Sequence, residues 1–341
     1  MATLDVTVRG AGIFGLSVAW ACVRRGARVR VVDPCGVAAG ASGGIVGALA
    51  PHTPERWNDK KAFQFDSLMM AEEFWAGVEA ASGRSPGYGR TGRLQPLADD
   101  RARDLALARG QEAARLWQGR ALWEVIPARG DWAPLSPTGL LIHDTLSARL
   151  HPRQACLALA EALRRSGCDV VEEAPDAGAV VWATGVAGLA ALGETAGNGV
   201  KGQAALLRLE ARDAPQLFAD ALHVVPHADG TVAIGSTSER VFDDATGTDG
   251  QLDDVLARAR AACPVLADAP VIACWAGVRP RARSRAPVLG GWPGRAGHFV
   301  ANGGFKIGFG MAPKVSEVMA DLVLEGRDAI PEGFRVTASA A

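Results

Sequence analysis

Hydrophobic positions in this chain change their period in a fixed order, and that order predicts an α/β beginning. Val6-Thr7-Val8 is a short apolar run between Asp5 and Arg9, as expected of a buried strand. From Ala11 to Val23 the residues are mostly small and apolar, and a helix is expected after the glycines. Arg28-Val29-Arg30-Val31-Val32 returns to strand character and stops at Asp33. Two stretches, 62–80 and 99–118, set apolar residues (Met69, Met70, Phe74, Trp75; Leu105, Leu107, Ala114, Leu116) at helical spacing among charged ones. Pro152–Arg165 predicts a helix with proline in its first turn and Gly167 just past its end. Cys168–Glu172 and Ala179–Trp182 then read as strands. From about 203 to 275 the pattern switches to short strands, and Leu222–Val225 and Thr231–Gly235 flank Ala228-Asp229-Gly230, a hairpin signal. Helical spacing returns at Asp253–Ala262 and Met311–Glu325.

The turn between the first strand and helix carries the first chemistry. Gly10-Ala11-Gly12-Ile13-Phe14-Gly15 has glycine where a tight turn, a close approach to a pyrophosphate and helix–strand contact each require it. The helix N-terminus presents free N–H groups and a positive dipole end to phosphates. Asp33, 23 residues past Gly10, falls where a carboxylate can accept from a ribose 2′-OH. Dinucleotide binding is therefore expected. The small-residue loop Ala38-Ala39-Gly40-Ala41-Ser42-Gly43-Gly44 reads equally as a ligand-facing segment or a connector. The order βαβ, helices, αβ, β-rich insert and terminal helix predicts a discontinuous cofactor domain, with a second domain threaded through it.

Composition narrows the class. At 341 residues, two domains or one elaborated domain are expected. Apolar content of 48% and charged content of 21% are those of an ordinary globular protein. A net charge of −1 gives no reason to expect nucleic acid or an anionic membrane surface. The six cysteines form no CxxC pair and no metal-like cluster, so they suit a reducing compartment. Ala11–Val23 has signal-peptide character, but Asp5 precedes it and no basic segment does. No run reaches the roughly 18–20 apolar residues that span a bilayer. A cytoplasmic location is expected.

Several separated segments together resemble the FAD-dependent amine oxidoreductases of the D-amino acid oxidase, glycine oxidase and sarcosine oxidase group. These are the Gly10–Gly15 fingerprint with Asp33, and Ala41-Ser42 followed by Gly47-Ala48-Leu49-Ala50-Pro51. Ala183-Thr184-Gly185 is similar to a second flavoprotein fingerprint, and Val200-Lys201-Gly202-Gln203 to the group's V-x-G-Q step. Val225-Pro226-His227 with Gly235-Ser236-Thr237 and Glu239 resembles its VPR…GAT-x-E hairpin. Trp275-Ala276-Gly277-Val278-Arg279-Pro280 and Asn302-Gly303-Gly304-Phe305-Lys306-Ile307-Gly308 follow in the expected order.

The resemblance implies a Rossmann-like FAD-binding domain (1–84, 141–204 and 275–341) and a discontinuous α+β substrate domain with an antiparallel sheet (85–140 and 205–274), glycine oxidase-like. It implies noncovalent FAD, since no cysteine falls near the flavin-linking position. Gly10, Gly12, Ile13, Phe14, Gly15, Ala41 and Ser42 would then serve the pyrophosphate side, Asp33 the ribose and Val171 the adenine. Ala48, Ala183, Thr184 and Gly185 belong to the same cofactor surface, with Gly303, Gly304, Phe305, Lys306 and Ile307 near the isoalloxazine. The implied reaction is hydride transfer from the α-carbon of a small amino acid or secondary amine to flavin N5, which needs no side-chain nucleophile. For the carboxylate, the G-x-R-P arginine Arg279 is the first candidate and Lys306 the second, with His52 and His223 as further substrate contacts. Arg279, Arg281, Arg283 and Arg285 alternate, which also fits a solvated basic stripe.

Some positions depart from the group's pattern. Arg9 stands where a small or apolar residue is usual, and its side chain must reach solvent or a partner. Arg281-Ala282-Arg283-Ser284 lacks the usual threonine and aspartate, and Glu172–Ala179 is shorter than the usual hairpin. Ala233 replaces the lysine that promotes reaction with O2 in sarcosine oxidases, so a dehydrogenase using another acceptor stays open. Other readings are a non-catalytic flavin subunit of a larger complex, a tRNA-modification oxidase and an NAD(P)-dependent reductase. The sequence leaves room for a homo-oligomer.

Overall fold

The structure is a computed structural model and describes residues 4–336. The outermost residues of the expected cofactor domain, 1–3 and 337–341, lie outside the described residues. The chain runs β1 (Val6–Arg9), α1 (Ile13–Arg24), β2 (Val29–Val32), β3 (Ala48–Leu49), α2 (Asp59–Ser82), β4 (Arg93–Pro96), α3 (Asp100–Leu116), β5 (Trp123–Pro127), β6 (Leu140–Asp144), β7 (Ala148–Arg149) and α4 (Pro152–Arg165). There follow β8 (Val170–Val171), β9 (Ala179–Trp182), α5 (Gly185–Ala191), β10 (Gly197–Arg208), β11 (Gln216–Ala219), β12 (Leu222–Pro226), β13 (Thr231–Gly235) and α6 (Gly250–Ala262). Then come β14 (Val271–Ala282), β15 (Val288–Gly291), β16 (His298–Asn302) and α7 (Gly308–Glu325).

Six strands form the first sheet in the order β15-β16-β9-β1-β2-β8. All neighbours are parallel except the edge pair β15–β16. The all-round apolar character of α1 is explained by its place: Ile13 to Cys22 are all buried, and the helix packs on α7 and α4 with α2 behind them. The two surface helices carry side-chain caps, Asn58 accepting from the Lys61 amide before α2 and Asp99 from the Ala102 amide before α3. Before α1 stands Gly12, which caps nothing with a side chain, so the helix end is left to other acceptors.

The second sheet has eight strands, β14-β10-β13-β12-β11-β4-β6-β5. Alternation along its strands divides the two faces. Leu217, Ala219, Leu222, Val224, Val232 and Ile234 pack with Leu252, Val255 and Leu256 of α6, while Val225, Ala233 and Ala204 turn the other way, against Ile45 of the loop before β3. A two-stranded ribbon, β3 with β7, lies between the layers in sequence.

Between 203 and 275, β11, β12 and β13 are short strands as expected, but the range is flanked by β10 and β14, each 12 residues long. Their backbone groups pair with one another from Gly197↔Ala282 to Ala204↔Trp275 and beyond, so the ladder runs on past the change in composition. Glycine permits it: a Cβ on Gly199 would stand 2.6 Å from Val278 Cγ1. The larger sheet consequently takes in β6, the start of β10 and most of β14, residues that the expected boundaries give to the cofactor domain. The loop expected over 38–44 contains a 3-10 turn, Ala41–Gly43. Arg9 finds a partner rather than solvent: Nε donates to Asp176 Oδ1 at 2.7 Å, and its Cζ lies 5.4 Å from the Trp182 ring centroid.

Candidate active site

Three distant segments converge at the C-terminal edge of the parallel sheet, where open α/β sheets bind ligands. Gly10 has φ +107°, and a Cβ there would lie 2.4 Å from the Ala183 carbonyl oxygen. A Cβ on Gly15 would meet the Gly10 carbonyl oxygen at 1.9 Å, so this glycine serves close helix–strand contact. Gly12 differs: a Cβ there would meet a side-chain hydroxyl, Ser42 Oγ at 3.1 Å, and not backbone. Ser42 Oγ accepts from the Ile13 amide at 3.0 Å and stands at the mouth of the helix. Asp33 is held by the same turn, with Oδ2 accepting from the Ala11 amide at 2.7 Å and Oδ1 from Cys35 at 2.9 Å. Val171 is its neighbour, for its carbonyl accepts from the Asp33 amide at 2.9 Å.

The second and third segments are tied by Asn302, to which the sequence alone assigns no role. Its Nδ2 donates to the Gly185 carbonyl at 2.8 Å, and its Oδ1 accepts from the Gly303 amide at 2.8 Å. Gly188 makes room, since a Cβ there would come within 2.6 Å of Asn302 Nδ2. A Cβ on Gly304 would stand 3.0 Å from Phe14 Cζ, which shows how closely the late loop approaches the start of α1. A helix end whose N-cap residue is glycine, a glycine-rich turn with the Ser42 hydroxyl at its mouth and an oriented carboxylate fit the diphosphate and ribose of FAD.

Beside this cradle lies a recess of about 160 Å³ between the layers. Ala48, Leu49 and Ala50 form one wall and Lys306 and Ile307 another, while Arg93, Phe218 and His223 enter from the larger sheet. Ala48 and the loop 306–307 thus border one space. Lys306 is exposed into this space, with no carboxylate partner among the described residues. Partial desolvation and the nearby Arg279 cation hold its ammonium below the ordinary lysine range. Burial, with Arg93 and Lys306, pushes the His223 imidazole down to about 3, so it is neutral at physiological pH.

Arg279 does not line the recess itself. It is buried on β14, where Nη1 donates to Ser236 Oγ at 2.8 Å and Nη2 to the carbonyls of Thr237 (2.8 Å) and Lys201 (3.2 Å). Burial lowers its pKa to about 10, opposed by Glu239, so it stays charged at neutral pH. Its Cζ and the Nζ of Lys306 lie 5.5 and 5.8 Å from the centroid of one ring, Phe305. The expected basic stripe therefore splits: Arg279 is buried, whereas Arg283 and Arg285 are exposed. His52 also stays out of the recess; its amide and Nδ1 both engage Gln64 Oε1, and Gln64 is the residue that reaches the lining. Gln64, Arg93 and Phe218 carry no motif, and only the pairing of β4 with β11 and of β11 with β12 brings two of them beside His223.

Among the described residues no group of side chains could hold a metal ion, and no helix is long and apolar enough to cross a membrane. The chain is similar over its length to the glycine oxidase of Pseudomonas putida, 26% identical over 343 residues that cover 94% of each protein. Its fold matches the crystal structure of glycine oxidase from Geobacillus kaustophilus with a TM-score of 0.83 at 21% identity, covering 97% of this chain and 98% of that one. It matches iminodiacetate oxidase from Chelativorans sp. BNC1 with a TM-score of 0.80 at 22% identity, covering 97% and 98%. The family model for FAD dependent oxidoreductases of the DAO type matches residues 5–322, and with the glycine cradle and late loop assembled as described, the chain belongs to that family of FAD-dependent enzymes.

Proposed function

We propose that this enzyme oxidises a small amino acid or secondary amine, in the class of D-amino acids, glycine and N-substituted glycines. The observation that carries this is Lys306, a cation opening on a small recess with no carboxylate partner among the described residues and a second cation, Arg279, near the same Phe305 ring. An anionic group is what such a site lacks, and a substrate carboxylate supplies it. Bound FAD would accept a hydride from the substrate α-carbon, and the imine left behind hydrolyses to an oxo acid and ammonia or an amine.

In this reading Gly12, Ile13, Phe14 and Ser42 hold the diphosphate, Asp33 the ribose and Val171 the adenine. Ala183, Thr184, Gly185 and the 303–307 loop border the flavin. Lys306 holds the carboxylate, Arg279 supports it electrostatically, and the neutral His223 imidazole accepts or donates a hydrogen bond without adding charge. His52 acts through Gln64.

One observation favours an acceptor other than O2. Ala233 is wholly buried among Ile45, Ala204 and Val225, and its methyl cannot stabilise a developing superoxide. The test is anaerobic mixing of the flavin-loaded protein with D-amino acids, glycine, sarcosine and proline, watching the visible flavin band. Bleaching supports amine oxidation, and admitting air then separates oxidase from dehydrogenase. A band unmoved by every amine would overturn the reading.

A further inference from the structure

Arg93 is a recess-lining cation that no sequence motif predicts. Only 7% of it is exposed, and it opens β4. Its Nε donates to Asp144 Oδ2 at 2.9 Å, and that wholly buried carboxylate is itself fixed by the Ser147 amide, 2.8 Å from Oδ1. The guanidinium carbon lies 5.9 Å from the centroid of Phe218. The planar group is therefore set in place by an ion pair at one edge and a ring at one face. Nη1 and Nη2 have no partner among the described residues, and the residue opens on the same recess as Lys306. A fork of two N–H donors matches the two oxygens of a carboxylate. His223 lines the same recess, close enough to Arg93 and Lys306 for both to act on its charge.

We propose that Arg93 is a second carboxylate anchor, so that the substrate is a small amine bearing two carboxylates, one held at Lys306 and the other by Nη1 and Nη2 of Arg93. Both cations line one recess of about 160 Å³, so the two carboxylates belong to one small molecule. Iminodiacetate and D-aspartate are of that class. This assignment rests on the amine-oxidising reading above and narrows it.

The experiment uses the flavin-loaded protein and two non-oxidisable probes, diglycolate and methoxyacetate, in which an ether oxygen replaces the amine. Their binding is followed by perturbation of the visible flavin spectrum. Diglycolate is expected to bind about tenfold or more tighter than methoxyacetate, and the Arg93→Gln/Asp144→Asn double variant, which leaves no unpaired buried charge, should reduce that ratio about tenfold. Equal affinities in the unmodified protein would overturn the proposal whether or not the variant folds. Anaerobic reduction gives an independent arm. Faster bleaching by iminodiacetate or D-aspartate than by sarcosine, glycine or D-alanine supports the assignment. Faster bleaching by the monocarboxylates overturns it and leaves amine oxidation standing. No bleaching by any amine overturns the parent reading, while the diglycolate ratio still judges Arg93.

Discussion

Gly202 is the space into which Arg279 folds: a Cβ on Gly202 would lie 2.4 Å from Nη2 and 2.5 Å from Cζ of that arginine. The glycine sits on β10 opposite Gly277, one strand over from Arg279, and the guanidinium crosses it to reach Ser236 and Thr237. Gly202→Ala must push the cation out of its three hydrogen bonds. Since a displacement of about 1 Å can cost on the order of 100-fold in rate, kcat/KM should fall by about that factor while bound flavin per protein stays unchanged. Unaltered kinetics in the variant would show that Arg279 has no part in substrate handling.

Lys306→Met should weaken carboxylate binding by roughly 10- to 100-fold, the range for one charge-assisted hydrogen bond. A pH titration of ligand affinity adds a second readout. The Lys306 pKa is lowered by desolvation and by Arg279, so its charge is present below that lowered value and lost as pH rises through it, short of the ordinary lysine range. Affinity in the unmodified protein should accordingly decline on the alkaline side, and the methionine variant should lack that decline. A decline of equal size in both would remove Lys306 from the site.

The glycines of the first turn should separate by role. Gly12→Ala would crowd the Ser42 hydroxyl at 3.1 Å, a side-chain end that can shift, so the protein should fold and purify with much less flavin, read from the ratio of visible to ultraviolet absorbance. Gly15→Ala puts a methyl 1.9 Å from the Gly10 carbonyl oxygen and should cost soluble protein itself. Full flavin content in soluble Gly12→Ala would contradict the cradle as described.

These outcomes bear on what can be read from sequence. The cradle is legible because its parts are local: Gly10, Gly12, Gly15 and Asp33 lie within one βαβ unit, whose spacing is set by backbone geometry. The recess is not. Arg93, Phe218 and His223 meet only because β4 pairs with β11 and β11 with β12, and nothing near Arg93 in the chain encodes that pairing. Arg9 is the same kind of case, since Asp176 and Trp182 reach it only after β1 pairs with β9. The long ladder of β10 and β14 escaped the pattern because its glycines break the apolar run while permitting the pairing.

Acid should destabilise the protein through His227. Its Nε2 donates to the Ile45 carbonyl at 2.9 Å, its Nδ1 has no partner among the described residues, and the His151 ring centroid is 4.8 Å away. Burial first, then His151 and Arg149, hold its pKa at about 4 instead of 6.5, with Asp229 opposing. The unfolded chain binds this proton below 6.5 and the folded chain only below about 4, so the stabilisation is complete above 6.5 and is lost as pH falls through that window. It amounts to about 3 kcal/mol at most. Thermal melts from pH 7 to 4 should show the decline, and His227→Gln should make it shallower, the buried His223 imidazole acting in the same direction. A slope identical in the variant would assign the acid sensitivity elsewhere.

The recess has walls of two origins, with Arg93 on the eight-stranded sheet and Lys306 on the loop leading into α7. A dianion gripped at both ends would act as a stitch between two separately built halves of the molecule. Occupancy would then be a mechanical property as well as a chemical one: the loaded recess resists being pulled apart, and release of product unfastens the seam.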